Sequence, residues 1–127
     1  MRVYISGPIS SSGTFLGNAA YAVEVYEHLL KMGYNPMCPQ LTVFAFIGRH
    51  NQIAHSEWMR CDEAWIRSMD PRGDAMLRLH GYSVGADMET NMADDMCMLT
   101  CRPPKVAPEL VAEFFDQWYS RNFRKEM

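Results

Sequence analysis

"RVYISGPISSSG", Arg2 to Gly13, decides how the rest of the chain is read. Its first half, Arg2–Ser6, is a short apolar run with β-branched and aromatic residues, the composition of a buried strand. Its second half, Gly7–Gly13, is glycine, proline and serine, which is loop chemistry. Beyond it Asn18 can cap a helix. Ala22, Val23, Tyr26, Leu29 and Leu30 then recur at helical spacing, and Gly33 is well placed to end the run. The opening therefore reads strand, glycine-bearing loop, helix.

The same alternation continues outward. "YNPMC", Tyr34–Cys38, reads as a second strand, and Pro36, which has no N–H, puts it at a sheet edge. Residues 39–55 show no period and read as a long irregular segment of the kind that often carries function. Ser56 can cap a helix to about Met69, with Trp58, Cys61, Trp65, Ile66 and Met69 as its apolar face and Glu63–Arg67 as an outward ion pair. Asp62 projects from the middle of that apolar face. Asp74–Leu79 is a third strand, a helix opens near Gly85, and Met96–Thr100 is a fourth strand. Pro108 starts a last helix whose stripe of Leu110, Val111, Phe114, Phe115, Trp118 and Tyr119 is core or subunit interface.

Strands alternating with helices imply one α/β domain over residues 1–127, with a mainly parallel sheet and helices on both faces. The expected arrangement is a three-layer, Rossmann/flavodoxin-like fold with strand order 2-1-3-4 and a possible fifth strand. That order makes a switch point between the first and third strands, where such folds bind ligands at the carboxyl ends of the strands. The two loops that meet there are "SGPISSSG" and "HGYSVGAD".

Bulk properties narrow the partner. The 127 residues carry a net charge of −3, with 48% hydrophobic and 21% charged residues. No basic stripe suits a nucleic-acid polymer, so a small ligand is expected. The four cysteines, 38, 61, 97 and 101, form no C-x-x-C and no zinc spacing. They read as reduced core thiols in a reducing, cytoplasmic compartment, with no metal and no cofactor expected. The N-terminal apolar run is too short for a signal peptide, and no stretch approaches the ~20 apolar residues of a membrane span.

The loops suggest chemistry. Ser6, Ser10, Ser11 and Ser12 offer hydroxyls, and Gly7 and Gly13 let backbone approach a ligand. Ser83 and the free N–H groups near Gly85–Asp87 make a helix N-terminus, which favours phosphate. Glu89, in the first turns of that helix, is either a dipole-complementing surface acid or a nucleophile or general base beside the anion site. Asp62, an acid on an apolar face, needs a partner or a role. Trp58, Trp65, Phe44 and Phe46 could stack on a flat ring, and His50 and His55 flank a polar loop. Two carboxylates, an anion site and aromatic walls point to a nucleotide whose glycosidic bond is cut through an oxocarbenium-like transition state.

These residues also resemble a known family. "VYISGPIS", "RCDEAW" and "SVGADMET", in that order over residues 2 to 101, are similar to signatures of the nucleoside 2-deoxyribosyltransferase superfamily, especially its nucleotide N-hydrolase branch. The resemblance implies Glu89 as nucleophile, Tyr4 as its orienting partner and Asp62 as the acid near the base. It puts Gly7, Ile9 and Ser10, with Ser83, Gly85 and Asp87, around the sugar phosphate. A hydroxyl at Ser83, where the transferases carry an acid, favours nucleoside 5′-monophosphates. The chain departs from the hydrolases at Ser10, where they often carry Arg, and at Asp87, where they often have Gly. The resemblance further implies a homodimer or larger homo-oligomer. Base exchange by a transferase and a non-catalytic nucleotide-binding module are the alternatives.

Overall fold

The computed structural model describes residues 1–9, 14–41 and 54–123, with the side chains of Phe15 and His55 left aside. Four strands, β1 (Arg2–Ser6), β2 (Asn35–Met37), β3 (Ala75–Arg78) and β4 (Thr100–Cys101), alternate with four helices. The helices are α1 (Phe15–Lys31), α2 (His55–Arg67), α3 (Val84–Asp95) and α4 (Pro108–Phe123). The sheet runs β2-β1-β3-β4 and every pairing is parallel. This is the Rossmann/flavodoxin-like α/β arrangement expected from the alternation, with four strands among the described residues.

Period-two alternation sends the side chains of β1 and β3 into two separate cores. Val3, Ile5, Ala75 and Leu77 pack with Val25 and Leu29 of α1 and Val111 and Phe115 of α4. Tyr4 and Met76 face the other way, towards Ile66 of α2 and Ala93 of α3. The first core is the larger and is bound by aromatic contacts. Tyr34 meets Phe115 edge-on at 5.2 Å, Tyr119 stacks on Phe123 at 4.4 Å, and Tyr119 Oη donates to Gly73 O at 2.7 Å. The second core is smaller and methionine-rich.

Several boundaries differ from the sequence expectation for identifiable reasons. Thr14, not Asn18, caps α1: its hydroxyl accepts from Gly17 N at 2.9 Å, while Asn18 Nδ2 donates back to Ile9 O at 3.0 Å. α2 starts at His55 after Ala54, with no side-chain cap, and Ser56 lies inside the helix. Its buried stripe is narrower than the apolar one: Asp62, Ile66 and Met69 are buried, whereas Cys61 and Trp65 are exposed. The fourth strand begins at Thr100 rather than Met96, because α3 runs on to Asp95 and ends in a Schellman turn. Met98 N donates to Ala93 O at 2.8 Å and Cys97 N to Asp94 O at 3.0 Å. Gly33 (φ 96°) closes α1 in the same way, but the corresponding residue here is Cys97, a non-glycine at φ 62°.

Of the four thiols expected in the core, Cys38 and Cys101 are buried and Cys61 and Cys97 are exposed; all are free. Burial raises the Cys38 thiol to about 11 and that of Cys101 to about 12, so both stay protonated and inert. On α4, Val111, Phe115 and Tyr119 are buried, while Leu110 and Phe114 remain exposed. No helix among the described residues is long and apolar enough to cross a membrane.

Candidate functional site

The carboxyl ends of β1 and β3 meet α2 and α3 on the smaller-core side. Tyr4 and Ser6 are two residues apart on β1, so both point to that side. Tyr4 is fully buried and its Oη donates to Glu89 Oε2 at 2.7 Å. Ser6 Oγ donates to Glu89 Oε1 at 2.7 Å. Each oxygen of Glu89 therefore has its own hydroxyl donor from one strand. Glu89 is 5% exposed, far from the surface acid that its place near a helix start could also have implied.

Asp62 reaches the same point from α2. It is buried and hydrogen-bonded to Glu89. Two carboxyls can share a hydrogen bond only if one carries a proton. Glu89 already accepts from Tyr4 and Ser6, so Asp62 is the donor. Burial, then the charge of Glu89 and the hydrogen bond to it, push Asp62 up to about 7. Burial also raises Glu89, and the net shift is upward, although hydrogen bonds from Tyr4, Ser6 and Asp62 and the charge of Arg78 offset part of it. The Tyr4 phenol is driven far above its ordinary range by burial and by Glu89, so it remains a donor. The arrangement holds one buried acid by hydroxyl donors at both oxygens, beside a second acid that keeps its proton to unusually high pH.

The second loop carries the elements expected to meet an anion. Ser83 caps α3, its Oγ accepting from Ala86 N at 3.1 Å, which leaves its own proton free to donate outward. Gly85 is open: an added Cβ would come no nearer than 3.7 Å to Met59 Sδ. Gly7 is glycine for a different reason. A Cβ there would stand 2.9 Å from Leu79 Cβ and 3.2 Å from Gln40 Nε2, while Leu79 N donates to Ser6 O at 2.7 Å. Its lack of a side chain lets the two loops close on each other. Ile9, half-buried, joins the first loop to α1 through the Asn18 hydrogen bond. Asp87 is mostly exposed and pairs with Arg78 Nη2 at 3.2 Å, which offsets the charge that would repel a phosphate. Ser10, Phe44, Phe46 and His50 lie outside the described residues, and so does the side chain of His55. Trp58 is half-buried on α2, whereas Trp65 faces solvent.

Two members of this site went unassigned in the sequence. Ser6 was readable only as one loop hydroxyl among several, although the alternation Tyr4–Ser6 already set it on the Tyr4 side. Arg78 is the last residue of β3. It is 9% exposed and lies opposite Ser6 in the β1–β3 register, on the Glu89 side of the sheet. Its Nη1 donates to Leu79 O, its Nη2 donates to Gly81 O at 2.9 Å, and its Nε has no hydrogen-bond partner among the described residues.

A cavity of about 450 Å³ opens at the same end of the sheet, lined by Pro8 and Leu79–Tyr82 with residues of α1 and Lys105. None of the site acids lines it. Of its polar groups, Asn18 Nδ2 donates to Ile9 O and Tyr21 Oη to Val106 O, so both hold structure together. Among the described residues no cluster of three or more His, Cys, Asp or Glu is placed to hold a metal.

Compared with protein-family models, with curated proteins and with solved structures, the chain matches none. The functional reading rests on the site itself and on the resemblance noted in the sequence.

Proposed function

We propose that the protein hydrolyses the N-glycosidic bond of a nucleoside or deoxynucleoside 5′-monophosphate. The observation that carries this reading is Glu89, buried, held at both oxygens by Tyr4 and Ser6, and adjoining a protonated Asp62. In the proposed reaction the Glu89 carboxylate attacks the anomeric carbon. The bond to the base nitrogen breaks, and Asp62 gives its proton to the departing base. Water, deprotonated by Asp62, then attacks the glycosyl–Glu89 ester. It releases the sugar phosphate and restores both acids. The Asp62–Glu89 hydrogen bond has to open as the sugar enters. Ser83, Gly85 and the first N–H groups of α3 would hold the 5′-phosphate, with Gly7, Ile9 and Ser10 along the sugar. The exposed Leu110 and Phe114 of α4 support assembly as a homo-oligomer.

The test is a chromatographic assay for free base with a panel of ribo- and deoxyribonucleoside monophosphates. Base release that falls at least about a thousandfold in Glu89→Gln, with the fold kept, is the expected result. Release at full rate in that variant excludes Glu89 as nucleophile. Base exchange on an unphosphorylated nucleoside, with no hydrolysis, replaces this reading by the transferase. Saturable nucleotide binding without turnover replaces it by the binding module.

A further inference from the structure

We propose that Arg78 decides which of the two site acids carries their shared proton, holding it on Asp62 and keeping Glu89 as the carboxylate. The inference rests on the nucleophile reading of Glu89, for which the location of that proton is decisive.

Arg78 stands beside Ser6 across the β1–β3 register, and Ser6 holds Glu89 Oε1. Arg78 is linked to Glu89 through Ser6 on the next strand and through Asp87 on the same helix as Glu89, whereas Asp62 arrives from α2. The attraction of Arg78 therefore favours the ionised form of Glu89 over that of Asp62. The guanidinium cannot turn away, because Nη1 and Nη2 are held by the carbonyls of Leu79 and Gly81. Among the described residues its ion-pair partner is Asp87, an exposed and solvent-screened carboxylate at 3.2 Å. A buried Nε without a described partner leaves part of the positive charge unanswered locally. The groups facing Glu89 and its neighbours are Tyr4 and Ser6 from β1, Asp62 and Cys61 from α2, Arg78 from β3 and Asp87 from α3. Among them Arg78 is the one fixed cation. Without it, Glu89 takes the proton from Asp62 or a second one from solvent, and the nucleophile is lost while the acids stay in place.

The test follows the carboxyl carbons of ¹³C-labelled Glu and Asp by NMR through a pH titration of the full chain. In the native protein Glu89 should remain ionised to lower pH than Asp62. In Arg78→Met the Glu89 midpoint should rise while that of Asp62 moves less, the sign expected of losing a cation on the Glu89 side. Arg78→Lys should restore most of the difference. Asp87→Asn, which frees the Arg78 charge without touching the loop carbonyls, should move the Glu89 midpoint down. A purely structural Arg78 would not be rescued by Arg78→Lys, which keeps the charge but not the paired guanidinium contacts. An unmoved Glu89 midpoint in folded Arg78→Met, or a rise in Asp87→Asn, overturns the proposal. If Arg78→Met does not fold, Arg78→Gln takes its place, with the same rise expected and an unmoved midpoint again overturning the proposal. The readout needs no substrate. A protein that shows these shifts but releases no base refutes the proposed activity and leaves the proton assignment standing.

Discussion

Asp62 makes stability fall with rising pH over a defined window. Its carboxyl is raised from an ordinary 3.8 to about 7 by burial and by Glu89. The folded chain therefore holds a proton that the unfolded chain has already shed. A raised acid pKa contributes stability that is fully present below 3.8 and is lost as pH climbs through 7. Where only the folded state keeps the proton, the slope is ~1.4 kcal/mol lost per pH unit. From pH 5 to pH 7 the expected loss is about 2 kcal/mol, once the small exposed part of the side chain is allowed its screening. The assay is urea unfolding at pH 5, 6, 7 and 8, comparing the native protein with Asp62→Asn. The amide can still donate to Glu89 but does not titrate. The difference between the two curves removes the contribution of every other group that titrates alike in both. It should run downhill by about 2 kcal/mol over the window, with the variant ending the more stable at pH 8. A difference that is flat, or that grows in favour of the native protein as pH rises, refutes the buried, protonated Asp62.

Other consequences can be checked separately. Tyr4→Phe leaves Glu89 Oε2 without its hydroxyl; losing a hydrogen bond to a charged group costs about 1.5–3 kcal/mol, so the acid limb of the base-release profile should shift upward by roughly 1–2 pH units, and an unchanged limb counts against Tyr4 as the donor. Cys97→Gly relieves the left-handed backbone at the end of α3 and should raise stability by about 1 kcal/mol in urea unfolding, with no effect on turnover; a loss of stability would show that the position is not strained. Gly7→Ala forces a methyl against Leu79 and should cost about 1–3 kcal/mol while reducing turnover, since it separates the two loops that frame the site; full stability and activity would show that the loops can give way.

The alternation of strand and helix was legible throughout, because the apolar periods are clean and each strand is bounded by turn residues. Pro36 correctly pointed to an edge strand, β2. Asp62 was legible as an acid on an apolar helical face, Glu89 only as one of two alternatives, and Tyr4 only through the family resemblance. What did not show was tertiary. Thr14 and Asn18 are both able to cap, and only the return of the Asn18 amide to Ile9 O separates them. Cys61 and Trp65 are as apolar as Ile66, but the part of α2 that the sheet and α3 cover is narrower than the apolar stripe. Cys97 was hidden because a cysteine is an unusual residue for a left-handed helix end. Arg78 could have been found by the reasoning that found Asp62. A charged side chain inside a strand flanked by helices on both sides has to be answered by something, and here the answer is two carbonyls, one surface carboxylate and the neighbourhood of Glu89.

The sheet keeps two different kinds of interior apart. Behind it, the packed rings of Tyr34, Phe115 and Tyr119 hold α1 and α4 to the strands in a cluster with no carboxylate or guanidinium among its members. In front of it, a smaller, methionine-rich cluster shares its side of the sheet with buried Asp62, Glu89 and Arg78, which an ordinary core would not hold. The cost of burying those charges at the front is not shared by the rear. A lineage carrying this fold could exchange residues around Glu89 one by one while the aromatic layer kept the chain folded through the less stable intermediates.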